Sequence, residues 1–218
     1  MGPTQKRITL ALWGMVILAL VGIVVGKVLL PHRQPGPSVA ELQEREEAAR
    51  GTQPLFPAPE LALTDQWGKP FNTSQLRGHP WIADFIFTSC GSVCPMMTSK
   101  MVEIQKSTPA GVHLVSFTVD PTTDTPAVLT KYGETYHADF NRWHFLTGDN
   151  TQMSDAASKM RISVKPASGT HPIMHSEKFL LVDAQGNVVG VYDGTSSDDV
   201  KRLAADATML VESKGKTS

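Results

Sequence analysis

Residues 81–95, Trp-Ile-Ala-Asp-Phe-Ile-Phe-Thr-Ser-Cys-Gly-Ser-Val-Cys-Pro, constrain the fold more than any other stretch. Residues 81–87 form a short apolar run, and such a run reads as a strand buried on both faces. Asp84 is the one charged residue inside it. Pro95 sits where a helix begins, since proline is tolerated in a first turn. The only two cysteines of the chain, Cys90 and Cys94, fall in the connection between strand and helix, with three residues between them. A strand that feeds a helix through a loop bearing reactive side chains is how α/β folds place chemistry at the carboxyl end of a sheet.

The flanking sequence predicts the rest of such a sheet. Residues 61–64 and 70–71 bracket Asp65-Gln66-Trp67-Gly68-Lys69, a hairpin signal. Residues 112–119 and 143–148 read as further strands, and residues 95–106, 125–137 and 151–160 as helices, with Met97, Met101 and Ile104 on one face of the first. Residues 178–183 and 188–192 form a second hairpin around Ala184-Gln185-Gly186-Asn187, and residues 197–213 a last amphipathic helix. The order predicts an α/β fold, a thioredoxin-like mixed sheet with helices on both faces.

Residues 8–26 are nineteen consecutive uncharged, mostly apolar residues. About 20 such residues span a bilayer as a helix. The run exceeds an ordinary signal-peptide core, and no small-x-small cleavage site follows it, so an uncleaved transmembrane helix is expected. It contains no cysteine near its end for lipid attachment. Lys6, Arg7 and the terminal amine precede the run, a slight bias that puts the N-terminus in the cytoplasm and the body on the periplasmic side of an inner membrane. The expected organisation is a cytoplasmic tip and anchor over 1–30, a Pro-rich and helical stalk over 31–52, one domain over 53–213 and a tail over 214–218. All acidic residues lie beyond residue 31, leaving the remainder at 17 − 21 = −4. A mildly acidic body argues against nucleic acid as a partner.

Cysteines four residues apart on a loop-to-helix turn can form a disulfide or share one metal ion. A helix N-terminus is expected to lower a thiol pKa there. A thioredoxin-type redox motif has two intervening residues and this one has three; a peroxiredoxin-type loop would need a proline that Asp84 and Phe85 displace. Two thiolates with a third donor suit copper or zinc, although structural zinc ordinarily takes four protein ligands. Of the seven histidines, His171 and His175 precede the last hairpin, and the loop there faces the cysteine loop in a thioredoxin-like sheet. His175, nearer the strand, is the better third ligand, while Pro172 argues against a helical two-histidine site. Met96 and Met174 are further soft donors near these residues, and Met97 and Met101 read as core.

Phe87-Thr88-Ser89-Cys90-Gly91-Ser92-Val93-Cys94-Pro95 resembles the Phe-Thr-x-Cys-x-x-x-Cys-Pro signature of the Sco/SenC copper-binding family. Asp120-Pro121 with Asp124 and Pro126 is similar to that family's Asp-Pro-x-x-Asp-x-Pro segment. His175-Ser176, followed by Leu181-Val182-Asp183 and Gly186, resembles its histidine segment. The resemblance covers residues 55–212. It implies a thioredoxin-like domain on a membrane tether, with copper as Cu(I) or Cu(II) held by Cys90, Cys94 and His175. It also implies service in assembling the dinuclear copper site of a respiratory cytochrome c oxidase, with the copper-bearing subunit or another copper chaperone as partner. Asp120 is expected to support the site from outside the ligand set. The alternative is a thiol–disulfide oxidoreductase in which Cys90 and Cys94 cycle. Many members carry Asp immediately before the histidine, where this chain has Met174.

Overall fold

The computed structural model describes residues 53–91, 93–165 and 173–215. The expected anchor and stalk, and His171, lie outside the described residues. Among the described residues no helix is long and apolar enough to cross a membrane.

All six residues of β4, Trp81–Ile86, are buried, so the strand has to be central. It pairs in parallel with β5, His113–Thr118, and antiparallel with β9, Lys178–Val182. Beyond β5 lies β6, Trp143–Leu146, again parallel; beyond β9 lie β10, Asn187–Asp193, and the short edge strand β1, Phe56–Pro57. The sheet order is β1-β10-β9-β4-β5-β6. The first hairpin, β2 (Ala62–Thr64) with β3 (Pro70–Asn72), stands apart from this sheet, as does a two-residue ribbon of β7 (Val164–Lys165) with β8 (Met174–His175).

The two-residue period of a strand sorts the core into two layers. Trp81, Ala83 and Phe85 pack with Val115, Phe117 and Leu180 beneath helix α3, Asn150–Lys159, whose Met153, Ala156 and Ala157 face them. Ile82 and Ile86 join Leu114, Trp143 and Leu181 on the other face. Three helices cover that face: α1 (Val93–Ser107) through Met97, Met101 and Ile104, α2 (Pro126–Thr135) through Leu129, and α4 (Ser197–Gly215) through Val200 and Leu203. Each fully buried aliphatic side chain of this kind contributes about 1.5–3 kcal/mol relative to exposure. The helices on both faces and the mixed sheet agree with the expected architecture.

Both hairpins use one turn chemistry. Asp65 Oδ1 accepts from the N–H of Trp67 and Lys69, and Asp183 Oδ1 accepts from the N–H of Gln185 and Asn187. In each case the third residue after the aspartate is glycine at positive φ, 75° at Gly68 and 85° at Gly186, a conformation glycine adopts without steric cost. The second turn joins β9 to β10 and so sets the register of the strand that His175 precedes.

Candidate metal centre

The apolar β4 ends at Ile86, and the chain turns through Thr88–Gly91 before α1 starts. Cys90 is half-buried in that turn, held by a backbone bond from its N–H to the Phe87 carbonyl at 3.3 Å. Cys94 lies in the first turn of α1 and is only 1% exposed. Its backbone N–H donates to Cys90 Sγ at 3.5 Å, so a free N–H of the helix end is aimed at the first sulfur. From the other side of the sheet end, β8 delivers His175. Its Nε2 lies 3.4 Å from Cys94 Sγ, and its ring meets the Phe87 ring edge-on, with centroids 5.9 Å apart.

The tautomer of His175 follows from its second contact. Nδ1 lies 3.3 Å from the Ser176 carbonyl oxygen. A carbonyl only accepts, so Nδ1 carries the proton and the lone pair of the neutral ring sits on Nε2, facing Cys94. Burial pushes the imidazole pKa below its ordinary value, which keeps the ring neutral near pH 7.

Cys94 departs from expectation. The helix N-terminus was expected to lower a thiol pKa, but burial pushes the Cys94 thiol up to about 12, with the neighbouring Cys90 adding to the rise. Desolvation outweighs the helix end because the sulfur is out of water and the helix N–H is directed at Cys90. Cys94 is therefore a thiol, and its S–H can donate to the His175 Nε2 lone pair.

Two thiols and an imidazole with an outward lone pair are a donor set that suits a soft ion. The set is not yet gathered: among the described residues no three His, Cys, Asp or Glu side chains are close enough together to hold an ion.

The thioethers diverge from the site. Met174 precedes His175 on β8, so the two side chains take opposite faces, and Met174 is 54% exposed. Met96 lies two positions past Cys94, on the other side of α1, and is also exposed, while Met97 and Met101 are fully buried core. Asp120 is half-buried, and its side chain lines a cavity of about 330 Å³ with Val119, Pro121, Met153 and Ile173. Its backbone N–H donates to Thr118 Oγ1 at 2.9 Å.

Two buried carboxyls were not singled out as site residues by the sequence. Asp84 is fully buried in β4, opposite Ser116 in the register, and neither of its oxygens has a hydrogen-bond partner among the described residues. Burial raises its pKa to about 7. A charged residue in an otherwise apolar strand was the available signal. Asp124, also fully buried, takes hydrogen bonds from Thr88 and Thr118. In the sequence it stands only within the Asp-Pro-x-x-Asp-x-Pro resemblance, which carries no sign of its inward direction.

Comparison with known proteins gives a consistent result. The SCO1/SenC family model matches residues 51–212. The chain is 38% identical over 151 residues to the SCO1 protein homolog of Bacillus subtilis, covering 67% of this chain and 78% of that protein. BsSco, a member of the Sco family of cytochrome c oxidase assembly proteins in which a disulfide switch was identified, superposes with a TM-score of 0.63 at 34% identity, covering 73% of this chain and 98% of that one. Bradyrhizobium japonicum ScoI, solved with copper bound, superposes with a TM-score of 0.61 at 25% identity, covering 70% and 98%.

Proposed function

Because this chain belongs to the SCO1/SenC family, we propose that it is a membrane-tethered copper metallochaperone whose cargo is held by Cys90, Cys94 and His175. The observation that carries the reading is the His175 Nε2 lone pair set 3.4 Å from Cys94 Sγ, with its tautomer fixed by the Ser176 carbonyl. Two thiolates and one imidazole make a three-coordinate site for Cu(I), with a position left for a fourth ligand on oxidation. An incomplete shell lets an incoming thiolate or imidazole of a partner displace one donor at a time, so the ion moves without being released to water. The destination is the dinuclear copper site of a respiratory cytochrome c oxidase, through its copper-bearing subunit or another copper chaperone. The apolar run over residues 8–26 supports a single inner-membrane span with the domain on the periplasmic side. Asp120 would act on the site from the cavity wall, by orienting an approaching ligand.

The test is copper titration of the reduced full-length chain in detergent micelles. One ion per chain is expected, with thiolate-to-copper absorption. Cys90→Ser, Cys94→Ser and His175→Ala should each lower the affinity at least tenfold. If His175→Ala holds copper as tightly as the parent chain, the three-donor site is wrong.

A second reading has its own support in the unequal burial of the two sulfurs. Cys90 is the accessible one and Cys94 is enclosed, which suits an attacking and a resolving thiol. The Cys90 thiolate would attack a partner disulfide, form a mixed disulfide and expel the partner's other sulfur as thiolate. Cys94, once deprotonated, would then attack Cys90 Sγ, leaving a Cys90–Cys94 disulfide and a reduced partner. Trapping a mixed disulfide with Cys94→Ser tests this; no trapped species with an oxidised copper-site peptide removes it.

A further inference from the structure

β4 and β5 cease to pair as strands at Ile86 and Thr118, where the Val119 N–H still reaches the Ile86 carbonyl at 2.8 Å. Beyond that point Asp124 continues the connection with side-chain bonds. The Thr88 N–H lies 3.2 Å from both Asp124 oxygens, the Thr88 hydroxyl donates to Oδ1 at 2.5 Å, and the Thr118 hydroxyl donates to Oδ2 at 2.5 Å. The Asp124 N–H in turn donates to the Asp120 carbonyl at 2.9 Å, and the Asp120 N–H to Thr118 Oγ1 at 2.9 Å. One buried carboxylate thus ties the loop that carries Cys90 to the segment that carries Asp120.

The chemistry asks for an aspartate. A fully buried carboxylate needs several donors, and here one N–H and two O–H groups converge on it. A carboxylate is an acceptor at both oxygens; an amide in its place would turn an NH₂ toward one hydroxyl. Thr88 is two residues before Cys90, in a turn with no regular secondary structure to hold it. The Cys90 N–H donates to the Phe87 carbonyl at 3.3 Å.

We propose that Asp124 is a positioning residue for Cys90: acting through Thr88, it fixes the first sulfur relative to Cys94 and His175. The proposal rests on reading Cys90 as a copper donor or redox thiol. A loop freed from this clamp would let Cys90 sample positions from which it cannot meet the other two donors, so affinity falls while the fold persists.

The test compares Asp124→Ala, Thr88→Val, the double variant, and Thr130→Val as a control, since the Thr130 hydroxyl donates a half-buried hydrogen bond to the Gln66 carbonyl. Full-length chains in micelles are assayed for folding by far-ultraviolet circular dichroism and for Cu(I) affinity by competition with a chromophoric chelator. The Cys90–Cys94 disulfide is equilibrated with glutathione in parallel. Asp124→Ala and Thr88→Val are expected to weaken copper binding about 10–100-fold and to disfavour the disulfide in the same order. The double variant should lose less than the product of the two, because both break one interaction, and Thr130→Val should leave both readouts unchanged. Copper affinity and glutathione equilibrium within twofold of the parent in folded Thr88→Val overturn the proposal. If the parent chain itself takes up no copper, the metallochaperone reading fails and the glutathione equilibrium decides alone: a shift in the variants supports positioning, and no shift overturns it.

Discussion

At the scale of single residues, protons decide how the site works. The Cys94 thiol, pushed up to about 12 by burial, has to lose its proton when a metal displaces it. Apparent Cu(I) affinity is therefore expected to rise with pH, about tenfold per unit from this proton alone. Chelator competition at pH 6, 7 and 8 measures it, and a flat profile would show that the ion arrives without displacing that proton. Asp84 carries a second expectation. Its folded pKa of about 7 lies above the unfolded value of 3.8, so the folded state binds more protons between these pH values and stability falls as pH rises through that window. The ionised form costs on the order of 4 kcal/mol above pH 7. Asp84→Asn should gain stability over the parent at pH 8 and little at pH 4, as read by urea unfolding at both. Equal gains at the two pH values would show that the carboxyl does not titrate in the folded protein.

Among the elements, α3 shows what local sequence can specify. Asp149 Oδ1 accepts from the Gln152 N–H, the Gln152 side chain accepts from the Asp149 N–H, and Gln152 Nε2 reaches back to the Ala62 carbonyl. Asp149→Ala is expected to cost about 1 kcal/mol, visible as a lower melting temperature with copper affinity unchanged. Helix α3, the buried β4 and the Asp-x-x-Gly hairpin turns were legible from the chain because each is a short-range pattern. β7 and β8 were not, since two residues carry no period; the pair exists only because Val164 and Met174–His175 meet in space. The cysteines and His175 were legible as a group from type and position. The proton on Nδ1, the protonated state of Cys94 and the inward turn of Asp124 were not. Each depends on depth of burial or on a partner distant in sequence, and the helix-end rule for thiols failed at Cys94 for that reason.

Across the whole molecule, one buried and one half-buried group set opposing responses to acid. His113 opens β5 at the end of the sheet away from the cysteines, with the His79 ring 4.9 Å and the His144 ring 5.9 Å from its own. Burial first, then His79, His144 and Arg142, lower its pKa to about 4 from 6.5. Between those values the unfolded chain binds more protons, so His113 contributes stability at neutral pH that is lost as pH falls. Asp84 acts in the reverse sense over an overlapping window, and the two slopes offset each other. His113→Asn should therefore unmask a stability that decreases from pH 4.5 to 6.5, where the parent is flatter. Parallel curves for variant and parent in urea unfolding would count against it.

The separation of 81 residues between Cys94 and His175 also has a consequence in time. A chain made from its N-terminus at about 5–20 residues per second exposes both thiols for several seconds before the imidazole exists, and longer before β9 docks on β4. Over that interval the sulfurs have no third donor and no closed sheet to shield them. The first oxidation state of each newborn molecule is thus settled by a race between folding and oxidant, before affinity for any ion has a say.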